Sequence, residues 1–252
     1  MSAEAASRKK LQVPSLLADA WRVYAHHWRI LIPLAVVVML PKALGDAIEI
    51  EVHTDDLSLG RAAAAAAGLA GLTAISLAGE ALYAGIITSL VVQWRYGLPG
   101  RGLRARAKAL PYGRLILADM LLTIGATVGL IALVVPGVLF VIYFLVTTVM
   151  IELEDLGVRQ GMRRSASLVR GNFWRVLAVA LVAVLGTELV TTGVESRFHG
   201  FAREAAASVV AETLTEPFQG VATVLVALGL MGLRGERPRD PIRRRELSPR
   251  RE

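Results

Sequence analysis

The sequence predicts an all-α integral membrane protein with six transmembrane helices in three hairpins, each hairpin preceded by a cytoplasmic interfacial amphipathic helix. Three observations predict it. Hydrophobic residues make up 54% of the 252 and charged residues only 19%, with a mean hydropathy of +0.53, which is the composition of a bilayer protein. Several apolar stretches approach the ~20 residues that cross about 30 Å of hydrocarbon. Once six spans are drawn, the basic residues fall almost wholly on one side of them.

The elements follow in chain order. Residues 1–13 are polar and basic, with Arg8, Lys9 and Lys10, and read as a disordered start. Residues 14–233 form a single six-span domain. Pro14 and Ser15 open an amphipathic helix, with Ser15 as its N-cap and Leu17, Trp21, Tyr24 and Trp28 at helical spacing. The first span covers 30–45. It begins too deep in the chain for a cleavable signal peptide and reads as retained. An acidic loop with Asp46, Glu49, Glu51, Asp55 and Asp56 follows. The second span covers 68–93. Its Ala-rich approach, Ala62 to Ala67, is either helix outside the membrane or part of a tilted span.

A basic loop then leads to the third span, 115–134. In that loop Leu103, Ala107 and Leu110 are spaced like a helix face. Pro136-Gly137 makes a turn, and the fourth span returns over 138–151. The rival reading of this hairpin is a re-entrant pair, which is tolerated only where protein buries its backbone. Glu152 to Gly171 is a second amphipathic helix, expected to lie flat on the cytoplasmic leaflet. Val158, Met162, Ala166 and Val169 form its apolar face, and Arg159, Arg163, Arg164 and Arg170 the other. Gly171 stops it and Asn172 caps the next helix. The fifth and sixth spans cover 173–192 and 212–233. The tail, 234–252, is basic and holds several Pro, and reads as disordered.

The side assignment comes from the charges. Of 28 Lys and Arg, only Lys42, Arg61, Arg197 and Arg203 fall on the far side. The other 24 share the near side with all four Trp. The positive-inside rule makes that side cytoplasmic, with both termini on it, and Trp prefers the same headgroup zone. Trp21, Arg22, Trp28, Arg29, Arg159, Arg163, Arg164, Arg170, Trp174 and Arg175 are therefore read as headgroup contacts, and anionic membrane phospholipid as the partner. A protein partner is left open. Nucleic acid is not expected, because the Arg residues are spread over segments pinned to a bilayer.

Two entrances to the membrane resemble one another. His27-Trp-Arg-Ile-Leu31 and Phe173-Trp-Arg-Val-Leu177 lie 146 residues apart, each after an amphipathic helix. Gly113-Arg114-Leu115 is a weaker third instance. The chain thus reads as a parallel repeat of three units. Convergence is the alternative, since any cytoplasmic entrance favours an aromatic residue next to Arg.

Little here points to chemistry. With no Cys, thiolate catalysis, disulfides and Cys-ligated zinc are excluded. There is no phosphate-binding Gly loop, no zinc-binding His pair and no nucleophile elbow. No cofactor or metal site is expected, and without a nucleophile–base pair an enzyme is not expected either. The anomaly is a set of intramembrane acids. Glu80 is 14 residues from Trp94, Glu188 is 15 from Phe173 and Glu216 is 15 from Met231. At about 1.5 Å per residue they form one layer about 21 to 23 Å from the cytoplasmic end of their spans. Glu212 lies one turn further out, and Pro217 adjoins Glu216. Such carboxyls must face protein or water, so they either line an outward-facing polar cavity or serve as polar glue between helices. Asp119, one turn inside the third span, is read as structural, within reach of Arg114 or Arg170.

Three segments carry a family resemblance: "WRVYAHHWRIL" at Trp21–Leu31, "LVVPGVLFVIYF" at Leu133–Phe144 and "ELEDLGVRQGMRRSASLVRGNFWRVL" at Glu152–Leu177. Together with the six-span spacing, the chain resembles prokaryotic integral membrane proteins that are similar to the membrane domain of glycerophosphoryl diester phosphodiesterases. The catalytic barrel of those enzymes has no counterpart in these 252 residues, so the resemblance carries over no catalytic residue. It implies a prokaryotic inner membrane and, at most, phospholipid-related work. Two functions remain. One is a non-enzymatic scaffold or accessory protein contacting anionic phospholipid. The other is a transporter or lipid-handling protein using a cavity lined by Glu80, Glu188 and Glu216.

Overall fold

A computed structural model describes residues 11–51, 59–97, 107–108, 110–195 and 201–238. Among them the secondary structure is helical throughout. The helices are α1 Val13–Glu51, α2 Leu59–Tyr96, α3 Tyr112–Ala132, α4 Val134–Phe144, α5 Thr147–Glu154, α6 Val158–Val169, α7 Phe173–Glu195 and α8 Phe201–Leu233. Six stretches are long and apolar enough to cross a membrane: Val13–Pro41, Ala70–Tyr96, Tyr112–Ala132, Val134–Glu154, Phe173–Gly193 and Val210–Leu233. The all-α, six-span plan is therefore present.

Burial sorts the spans into inner and outer ones. In α2 and α8, 56% of the apolar window is buried, against 11% in α3 and 17% in α7. α8 packs along α1, α7 and α2, and Leu31, Ile86, Val91, Leu228 and Leu230 fill the centre. α3 and α7 present Leu121, Val128, Ile131, Leu181 and Leu189 outward. In a bilayer such surfaces meet lipid at no hydrophobic cost, so what holds the helices together is packing and the few polar contacts.

Four details differ from the sequence reading. First, the opening amphipathic stretch is not a separate interfacial helix. Nothing between Ser15 and Arg29 breaks a helix, and Leu16, Ala20 and Val23 are buried in the same core as Leu225 and Leu228 of α8. The stretch therefore runs on into the first span, whose candidate segment starts at Val13 instead of residue 30. Ser15 sits inside the first turn, its hydroxyl donating to the Gln12 carbonyl at 3.0 Å. At the other end α1 continues to Glu51, through Asp46 and Glu49, which the sequence reading placed in a loop.

Second, the α3–α4 turn is at Leu133, which is extended at φ −165° and ψ 137°. Pro136 falls in the first turn of α4, where its missing N–H costs nothing. Gly137 follows because the two helices touch backbone to backbone. A Cβ there would stand 2.6 Å from the Leu130 nitrogen, and one on Gly129 would stand 2.9 Å from the Gly137 Cα.

Third, the stretch from Glu152 to Gly171 is broken. α5 ends on Asp155 in the left-handed region, at φ 53°. The chain reverses, and α6 packs back on α5 and α4. Gly161 lies against Ile151, and the Ser165 hydroxyl donates to the Tyr143 carbonyl at 2.8 Å. The buried face of α6 is Gly161, Ser165, Leu168 and Val169. Its one-sided packing, with Arg159, Arg163 and Arg170 exposed, is that of a helix held by protein as well as by any membrane surface.

Fourth, the first residues of the tail are ordered against α6. Arg164 donates to both oxygens of Glu154, at 2.9 to 3.1 Å, and also to Glu236, while Arg234 donates to the Ser167 carbonyl. Burial works against the Arg164 charge, but the two carboxylates outweigh it and hold the guanidinium above its ordinary range. α6 is the one separate amphipathic helix among the described residues. Residues 101–106 and 109 of the middle lead-in, and residues 1–10 and 239–252, lie outside them.

Gly171 is a corner, as read from the sequence. At φ +95° it takes a backbone conformation that suits glycine. Asn172 stands at the N-cap position, and its carbonyl accepts from Arg175 and Val176. Its side-chain oxygen is buried without a hydrogen-bond partner.

Candidate functional site

The candidate site grows from the contact between the two inner helices. α2 and α8 run side by side because Gly220 faces Ile87; a Cβ on Gly220 would come within 2.7 Å of the Ile87 Cδ1. One helical turn further along each, the close approach opens into a cavity of about 340 Å³. α2 contributes Glu80 and Tyr83 to its lining, α3 Asp119, α5 Thr148 and α8 Glu216. Met39, Leu115 and Ile116 supply apolar wall.

Local contacts fix the polar side chains. Ser76, one turn before Glu80, donates its hydroxyl to Glu80 Oε1 at 3.1 Å. Tyr83 donates to the Leu31 carbonyl at 3.4 Å, tying α2 to α1 two residues before Pro33. Tyr24 reaches across from α1, donates to the Leu214 carbonyl at 3.0 Å, and meets Phe218 edge-on at 6.5 Å. Pro217 has no N–H to give the Thr213 carbonyl, which loosens the α8 ladder beside Glu216.

Of the four acids singled out in the sequence, two meet in this cavity. Glu80, half-buried, and Glu216, exposed, line it. Glu212, one turn away on α8, is half-buried outside the lining. Glu188 stands exposed on α7, because that helix turns Val176, Val179, Ala183 and Thr187 toward its neighbours. Thr187 accepts from Gln219 of α8 at 2.6 Å. The third acid of the cavity is Asp119. Arg114 does not hold it, since that side chain bonds Asp155 at 2.8 Å. Among the described residues no three His, Asp or Glu side chains stand close enough together to hold a metal ion. The cavity is thus acidic and wide.

The predicted headgroup residues sit elsewhere. Trp21, Trp28, Trp94 and Trp174 are all exposed on the bundle surface. Arg22, Arg29, Arg159, Arg163 and Arg170 are exposed as well. Arg164 and Arg175 are occupied within the molecule, Arg164 by Glu154 and Glu236 and Arg175 by the Leu11 carbonyl.

A family profile described as a domain of unknown function, DUF7847, matches residues 102–233, just over half of the chain. The chain belongs to the DUF7847 family. The matched segment runs from just before α3 to the end of α8 and carries Asp119, Thr148 and Glu216, while Glu80 comes from α2, outside it. The chain is also similar to the UPF0259 membrane protein SG1383 of Sodalis glossinidius (strain morsitans). Identity is 35% over 136 residues, which is 50% of this chain and 52% of that protein. The chain thus spans about half the length of that relative. No solved structure matches. With six candidate spans, this DUF7847 chain is a multi-pass membrane protein.

Proposed function

We propose that the protein lies in the prokaryotic inner membrane with both termini cytoplasmic, and that it takes a small organic cation, an alkylammonium group, into the cavity between α2, α3 and α8. The observation that carries this is the meeting of Glu80, Asp119 and Glu216 in one space. Three carboxyls around a wide cavity favour positive charge. Their spread leaves no cluster fit for a metal ion, which favours a diffuse, bulky cation. The ammonium end of a phospholipid headgroup has that chemistry, and the likeness to phosphodiesterase membrane domains supports a headgroup. Free ethanolamine has the same chemistry. Calorimetry on the full chain in lipid nanodiscs tests the reading, with ethanolamine as the probe and discs with and without ethanolamine lipid as the two arms. Binding in the lipid-free arm that is lost in the Glu80→Gln/Glu216→Gln variant supports it. Weakened ethanolamine binding in discs that hold the lipid marks the headgroup as the occupant. Equal affinity in wild type and variant overturns it.

The scaffold reading draws on a different observation, the exposed Trp21, Trp28 and Trp174 flanked by exposed Arg22, Arg29 and Arg170. It concerns the surface and is compatible with the cavity. Preferential retention of anionic over zwitterionic lipid by the purified protein, lost when these Arg are replaced by Gln, is its test.

A further inference from the structure

A second space in the molecule has no part in the readings above. It holds about 430 Å³ and lies where α1 begins and where α2 and α8 end. Those points are also the ends of three candidate spans, at Val13, Tyr96 and Leu233, so the space sits at the membrane interface. α2 and α8 stop here in the same way, each running into a glycine at positive φ, Gly97 at +62° and Gly235 at +72°. Trp94 adjoins Arg95 of the lining and Trp21 follows two residues after Asp19 of the lining; both Trp are exposed, as residues at headgroup level are.

The lining is apolar along α8 and polar along α1 and α2. Gly229 of α8 draws the start of α1 close, since a Cβ there would stand 2.6 Å from Leu11 Cδ1. Three residues on, the contact opens, and a Cβ on Gly232 would meet nothing within 4 Å. The polar part is Gln12, Ser15, Asp19, Arg95 and Tyr96. All of these but Asp19 are exposed, so the space is open at its polar side.

Counting charges gives the ligand its sign. Arg95 Nη1 stands 3.4 Å from Asp19 Oδ2, and Arg22 Nη1 stands 3.0 Å from Asp19 Oδ1. Two guanidiniums thus share one carboxylate, and one positive charge is left over. Arg175 of α7 adds a cation nearby, donating to the carbonyl of Leu11, which lines the space. Past the end of α8, Glu236 is taken by Arg164 of α6, and Arg234 donates to the Ser167 carbonyl. Arg95 has the longer of the two contacts with Asp19. It can leave that carboxylate to Arg22 and turn its planar fork to a phosphate. Beside it, the Gln12 side chain offers both donors and an acceptor, and the Ser15 hydroxyl, whose hydrogen goes to the Gln12 carbonyl, offers an acceptor. That set suits hydroxyl groups.

We propose that this space binds one phospholipid of single negative charge. Its phosphate lies on Arg95, its hydroxylated headgroup toward Gln12 and Ser15, and its glycerol end against Gly229, Gly232 and Leu233. The site does not rest on the acidic cavity. It differs from the exposed Trp and Arg surface in having a shape and a stoichiometry.

The test reconstitutes the full chain in phosphatidylcholine nanodiscs holding a minority of phosphatidylglycerol. The protein is re-extracted and washed in detergent, which strips lipid held only by the surface, and the lipid that stays is counted by mass spectrometry. Wild type is expected to keep one phosphatidylglycerol per chain. Arg95→Gln should lower retention about fivefold, the effect of one Arg near an anionic surface. Gly232→Leu fills the space without changing a charge and should lower it at least as much. Asp19→Asn removes the carboxylate that competes for Arg95 and should raise it, a gain that misfolding does not mimic. Arg29→Gln/Arg170→Gln, on the exposed surface, should leave the washed count unchanged. Wild-type retention in Gly232→Leu overturns the pocket. A loss in Arg29→Gln/Arg170→Gln as large as that in Arg95→Gln also overturns it, in favour of diffuse attraction to the surface. Retention that does not rise in Asp19→Asn overturns the place given to Arg95.

Discussion

Glu216 and Glu188 start from the same position in the sequence argument and end in different places. Glu188 lies 15 residues from Phe173 and Glu216 15 from Met231, each counted from one end of its span. Both are exposed, but α8 places Glu216 on the lining of a cavity shared with Glu80 and Asp119, while α7 leaves Glu188 outside it. The difference is one of neighbours. α8 is surrounded by α1, α2 and α7, so most of its faces meet protein. α7 packs chiefly on α8, so most of its circumference faces outward. Depth along a helix decides whether a carboxyl is in the membrane. Rotation about the helix decides what it meets there.

The largest effect expected from this contrast is in cation binding. Glu80→Gln/Glu216→Gln should weaken ethanolamine binding at least about tenfold, or about 1.4 kcal/mol. Glu188→Gln should change it by less than about twofold. Calorimetry on the two variants side by side sharpens the contrast, and comparable losses in both would break it.

The glycines of the two helices give the next effect. Gly220 on α8 faces Ile87, whereas Gly186 on α7 has open space where a Cβ would go. Gly220→Val should destabilise by about 1 to 3 kcal/mol through overpacking of α2 against α8. Gly186→Ala should be neutral or stabilise by up to about 1 kcal/mol through helix propensity. Thermal unfolding in nanodiscs measures both. A destabilising Gly186→Ala would mean that α7 is packed on that face.

Six spans were legible because membrane thickness sets their length and each keeps its apolar residues together. The corner at Gly171 was legible because a positive φ selects glycine. The fused start of α1 was not. Leu17, Trp21, Tyr24 and Trp28 look like one face of a surface helix, and only α8 shows that Leu16, Ala20 and Val23 face protein. Rotation was illegible for the same reason in α7, which is apolar all round and gives no phase to a periodicity argument. Asp119 was placed within reach of Arg114 or Arg170 on distance along the chain alone, and Asp155, at the end of α5, bonds Arg114 instead. Glu152 was read as the start of the amphipathic helix because the fourth span was ended at residue 151, whereas it is buried within α5.

The smallest effect concerns the seam that orients α7. Thr187→Val removes the 2.6 Å bond to Gln219. It should cost about 0.5 to 1.5 kcal/mol in unfolding and leave ethanolamine binding unchanged. A loss of binding would mean that the α7 seam and the cavity are coupled.

The central claim is that Asp119 and Glu216 face one space and Glu188 does not. The chain has no Cys, so engineered pairs can be read on a silent background. The most direct measurement treats Asp119→Cys/Glu216→Cys and Asp119→Cys/Glu188→Cys with a short thiol crosslinker in the membrane. The account predicts that the first pair joins α3 to α8 and that the second, though labelled singly at each site, does not join. Crosslinking of the second pair, or failure of the first with both thiols reactive, would contradict it.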